Sequence, residues 1–74
     1  MSKILLKTRK VIIDDDNGKS FTEGDILVSL TYKSSSEFNT LYDVHIRSVT
    51  TNSIHINTDE CFRKIKITDI ISWS

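Results

Sequence analysis

Seventy-four residues with 38% apolar content, ten basic and ten acidic side chains and zero formal net charge describe one small domain, 1-74, with no global attraction for nucleic acid. The longest apolar runs, Ile4 to Leu6 and Val11 to Ile13, fall far short of the roughly 18 residues that span a bilayer. Lys7, Arg9 and Lys10 also break up any secretory leader, so a cytoplasmic protein without a membrane partner is expected. A chain this short buries only about 60% of its unfolded surface, and that thin core weighs against an elaborate enzyme.

The residue choice favours strands. Eleven Ile, four Val and eight Thr are β-branched, and Ala, the best helix former, is absent. In chain order, a first strand is expected over roughly Lys3 to Ile13. It ends at Asp14-Asp15-Asp16-Asn17-Gly18, where Asn-Gly suits a turn needing positive φ. Phe21 to Asp25 makes a second corner. Period-two alternation then places Ile26, Val28, Leu30 and Tyr32 on an apolar face, and after a polar loop over Ser34 to Asn39 it does the same for Tyr42, Val44 and Ile46. Thr50-Thr51-Asn52 suits a hairpin loop with Asn52 left-handed. The resulting register pairs His45 with Asn57, Ile46 with Ile56 and Arg47 with His55. Ile54 and Ile56, then Ile65 and Ile67, alternate with polar residues, and Thr68-Asp69 turns the chain into a last strand, Ile70 to Trp73. The expectation is an all-β, five- or six-stranded antiparallel meander curled into a small barrel, with no helix beyond one turn.

The entry Phe21-x-x-Gly24-Asp25-Ile26, the hairpin around Asn52 and the closing Ile65-x-Ile67-x-Asp69-Ile70 resemble the SH3-like and Sm-like small barrels of bacteria and phages. The resemblance covers residues 21 to 73. It implies a fold whose members bind RNA, DNA, peptides or one another. Thr8-Arg9-Lys10 and the pattern from Val44 to Ile70 are also similar to the carbon storage regulator family of RNA-binding dimers. Two departures matter: Val11-Ile12 stands where that family places Gly-Glu, and Thr68-Asp69 replaces the basic residue before its last element. No RNA-contacting residue is therefore carried over.

Most candidate chemistry falls away on inspection. Aligning Gly18 with the glycine of a calcium loop puts Ile13 and Gly24 at ligand positions that need carboxylates, so the aspartate run reads as a solvated hairpin tip. His45 and His55 share the polar face of neighbouring strands, but a third metal ligand is missing. Cys61, the one cysteine, can form neither an internal disulfide nor a zinc site alone, and it reads as packed under a loop. No cofactor or metal is expected, and no residues assemble a nucleophile, base and stabiliser.

The informative constellation is cationic. Lys7 and Arg9 on the first strand, and Phe62, Lys64 and Lys66 on the fifth, would form one basic face if those strands pair as in small closed barrels. Leu5, Leu27, Leu41 and Trp73 are left over from the inward sets, and they suggest a homodimer with Trp73 at its interface. The expected function is a non-enzymatic interaction module with an unknown protein partner. The alternative is RNA or DNA binding through Lys7, Arg9, Phe62, Lys64 and Lys66.

Overall fold

A computed structural model describes residues 3–6, 11–14 and 16–74. The chain is all-β, in two antiparallel sheets. The smaller sheet holds β1 (Lys3–Leu6), β2 (Val11–Asp14) and β3 (Lys19–Thr22) in that order. The larger holds β4 (Ile26–Ser34), β5 (Glu37–Val49), β6 (Ser53–Asn57), β7 (Phe62–Lys66) and β8 (Ile70–Trp73), ordered β7-β6-β5-β4-β8. A single 3₁₀ turn, Ile67–Asp69, lies between β7 and β8, so no helix among the described residues exceeds one turn.

The described residues form eight strands where five or six are expected. The stretch from Lys3 to Ile13 is not one strand: β1 and β2 pair antiparallel, with Ile4 opposite Ile13 and Leu6 opposite Val11. Ile13 sits in β2 with period-two burial, so the sequence pattern is the same whether the chain runs straight or folds back. The tip between β2 and β3 is the anticipated turn, with Gly18 at φ 67° and its N–H donating to the Asp14 carbonyl at 2.8 Å. Asp14, however, is not solvated. Its buried carboxylate accepts from the Asp16 N–H at 3.1 Å and from Asn17 Nδ2 at 2.9 Å, closing the turn from inside.

The long hairpin of β4 and β5 turns at Ser35 and Ser36, whose φ values of 50° and 69° are those of a tight two-residue turn. Strand structure therefore runs through Ser34 and resumes at Glu37, where a longer loop was expected. The expected apolar faces are corrected on both strands. Leu27, Leu30 and Tyr32 are buried on β4 while Ile26 and Val28 are exposed. On β5, Val44 and Ile46 are buried but Tyr42 is exposed. Asp43, at φ 52°, lies between Tyr42 and Val44 and breaks the alternation there; Leu27 pairs with Val44 and Ser29 with Tyr42, so both strands change parity at the same place.

The hairpin of β5 and β6 keeps the pairs His45 with Asn57 and Ile46 with Ile56. A bulge at Arg47 then puts Ser48, not Arg47, opposite His55. Asn52 is not left-handed. The turn is held by Thr50, which donates its N–H to the Ser53 carbonyl at 2.8 Å and accepts the Ser53 N–H on Oγ1 at 3.2 Å.

The two sheets share one core. Ile12 and Phe21 of the smaller sheet bury against a cluster that includes Leu30, Val44, Ile56 and Trp73 of the larger. Between β3 and β4, Gly24 donates to the Ile46 carbonyl and Ile46 returns a bond to the Asp25 carbonyl, both at 2.9 Å. Glu23 accepts the Val49 N–H at 3.1 Å. These bonds tie the corner of one sheet to the middle strand of the other.

Candidate binding surface

On β7, period two puts Phe62, Lys64 and Lys66 on one face and Ile65 in the core. All three outward residues are exposed, and Phe62 is 72% exposed. The register continues this face across the sheet, with Phe62 opposite Asn57, Asn57 opposite His45 and His45 opposite Ile26. Lys64 stands opposite His55. Ile26, Val28 and Tyr42, exposed by 62%, 69% and 65%, extend the face over the central strands. This apolar set is what alternation alone assigns to the core. Asp43, whose side chain tolerates positive φ, is the sequence feature that marks the parity change.

The basic stripe forms differently from the expectation. Among the described residues β7 is an edge strand paired with β6 alone, and β1 pairs with β2, so they hold no pairing of first and fifth strands. Lys7 and Arg9 lie outside the described residues. Instead, Lys3 of β1 shares a concavity of ≈ 570 Å³ with Lys64 and Lys66, alongside Thr51, Asn52 and Thr68. No carboxylate among the described residues lines it. Asn52 sits at its wall because its carbonyl accepts the Ile67 N–H at 3.0 Å, which joins the β5–β6 turn to the 3₁₀ turn. Lys3 Nζ stands 5.7 Å from the ring centroid of Trp73, within cation–π range.

Trp73 is not a surface residue. It is 4% exposed and packs edge-on to Phe21, so the interface role expected for it has no accessible side chain to act through. Leu27 is likewise buried and Leu41 packs against the core. Their apolar surface belongs to the shared core.

The other candidates remain apart. His45 and His55 are half-buried, and the bulge at Arg47 moves them one residue further out of step. No group of three or more His, Cys, Asp or Glu among the described residues could hold a metal ion. Cys61 is half-buried in the turn between β6 and β7, where its N–H donates to Thr58 Oγ1 at 3.2 Å. Asp14 has the clearest electrostatic signature: burial alone would raise its pKa, but the Asn17 and Asp16 hydrogen bonds and the charge of Lys3 outweigh it and hold the carboxyl below its ordinary value. No described helix is long and apolar enough to cross a membrane.

Comparison with known proteins finds no family model, curated protein or solved structure that matches this chain.

Proposed function

We propose that this chain is a non-enzymatic interaction module, built as a small SH3-like or Sm-like barrel from its two sheets, whose working surface is the outer face of the larger sheet. A protein is the partner this face suits best. The observation that carries the reading is the exposure of Ile26, Val28 and Tyr42 together on the two central strands of a sheet. Single apolar side chains are common on surfaces, but a group on one sheet face marks an interaction site. The homodimer expected from the thin core is assigned to this same face rather than to Trp73.

The test is capture of partners from lysate by the intact chain and by a variant carrying Val28→Glu and Tyr42→Glu. Both side chains point to solvent, so circular dichroism of the variant should match the parent. The reading expects captured proteins to survive nuclease treatment and to be lost with the variant. Capture that persists unchanged with the variant would exclude this face.

A second reading, single-stranded nucleic acid along β7, is favoured by Phe62 sharing a strand face with Lys64 and Lys66.

A further inference from the structure

Lysines on a strand face are ordinarily explained as solvating groups that protect an edge from pairing, and Lys64 and Lys66 on edge strand β7 fit that description by themselves. Lys3 does not. It belongs to the other sheet, yet it lines the same concavity as Lys64 and Lys66, with Thr51, Asn52 and Thr68 also in the wall and no carboxylate among the described lining residues. Edge protection gives no reason for cations of two sheets to converge on one depression. In a chain of zero net charge this is a local excess of positive charge, with Thr hydroxyls and an Asn amide as added hydrogen-bond donors. Asp14 feels the charge of Lys3 and tempers the excess, but it does not line the concavity.

The approach to the depression is also defined. Phe62, Lys64 and Lys66 follow one another on one face of β7, at about 6.7 Å per step given the rise of a strand. An exposed aromatic ring therefore precedes the two lysines of β7 that line the concavity. A ring in that position can take the face of an unstacked base while the cations take the phosphates that follow it. A duplex keeps its bases stacked and offers the ring nothing.

We propose that the concavity formed by Lys3, Lys64 and Lys66 holds backbone phosphates of a single-stranded nucleic acid whose preceding base stacks on Phe62. The proposal rests on the second reading above and adds to it the site, the contribution of β1 and the choice of single strands over duplex.

Fluorescence anisotropy of a labelled 12-nucleotide oligothymidylate, titrated with the full chain at several salt concentrations, tests it. Three phosphate contacts give a log–log salt slope of about −2 for a single strand, and Lys64→Gln with Lys66→Gln should reduce it to about −0.7. Phe62→Ser should weaken binding roughly fivefold or more and leave the slope unchanged. All three side chains are exposed, so the variants should keep the parent circular dichroism spectrum. Binding whose slope is the same in the double-lysine variant would overturn the concavity while leaving the nucleic-acid reading intact. Equal affinity for the corresponding duplex would overturn the single-strand assignment. An absence of binding at about 20 mM salt, where phosphate contacts are strongest, would overturn the site and the reading together.

Discussion

The ring of Phe21 on β3 meets the ring of Trp73 on β8 edge to face, with centroids 4.9 Å apart and planes at 90°. This pair joins the two sheets: one residue comes from the end of the smaller and the other from an edge strand of the larger. The same contact is reinforced from the side, where Lys19 Nζ donates to the Trp73 carbonyl at 2.9 Å. Truncation here should therefore loosen the sheets from each other as well as open a cavity. Trp73→Ala should destabilise the domain by about 3–5 kcal/mol, most of the stability expected for a chain this small. A double-mutant cycle with Phe21→Leu and Trp73→Leu should return a coupling of about 0.5–1.5 kcal/mol. Trp73 is the one tryptophan, so urea unfolding of the variants is followed by far-UV circular dichroism, and a parent Trp73 emission already at the unfolded wavelength would contradict the buried placement.

The turn at Ser35 and Ser36 holds two non-glycine residues at positive φ. Each is disfavoured there by about 1 kcal/mol or somewhat more, and Asn-Gly is the pair that such a turn prefers. Ser35→Asn with Ser36→Gly should raise stability by about 1 kcal/mol, a rise in Tm of about 4–8 °C in thermal unfolding. A fall in Tm would mean that the hairpin turns elsewhere.

Asp14 sets an acid limit. Its carboxyl is held below the ordinary value in the folded chain, so in acid the unfolded chain binds the proton more readily and stability increases with pH there. The contribution is complete above about pH 4–5, the upper end of the unfolded carboxylate titration, and is lost as pH falls through the folded pKa. Asp14→Asn should flatten this part of the curve. Denaturant midpoints measured between about pH 2 and 6 check it, and an identical acid dependence in parent and variant would exclude Asp14 as the cause.

Fold class was legible because β-branched residues and period-two alternation report burial on strands directly, and the register of His45 with Asn57 and Ile46 with Ile56 followed from keeping isoleucines together. The misread faces of β4 and β5 share one cause. Alternation counts residues and assumes uniform backbone, whereas Asp43 at φ 52° and the bulge at Arg47 each insert a change of face that no apolar pattern records. Alternation consequently assigns Tyr42, Ile26 and Val28 to the core and Leu27 to the surface, and it misplaces Trp73 for a separate reason, the irregularity between β4 and β8 where Tyr32 pairs with Ile70 but Thr31 with Ser72. Lys64, Lys66 and Phe62 were legible as one outward set because β7 is regular. Lys3 was not, since its place beside them depends on how two sheets pack.

The central claim is that partners engage the outer face around Ile26, Val28 and Tyr42. The most direct measurement is amide chemical-shift mapping on isotopically labelled chain, adding the partner recovered by capture after nuclease treatment. The account predicts the largest shifts or broadening at Ile26, Val28 and Tyr42 and at their cross-strand neighbours His45 and Ser29. Perturbations confined to the smaller sheet, with β4 and β5 unchanged, would contradict it.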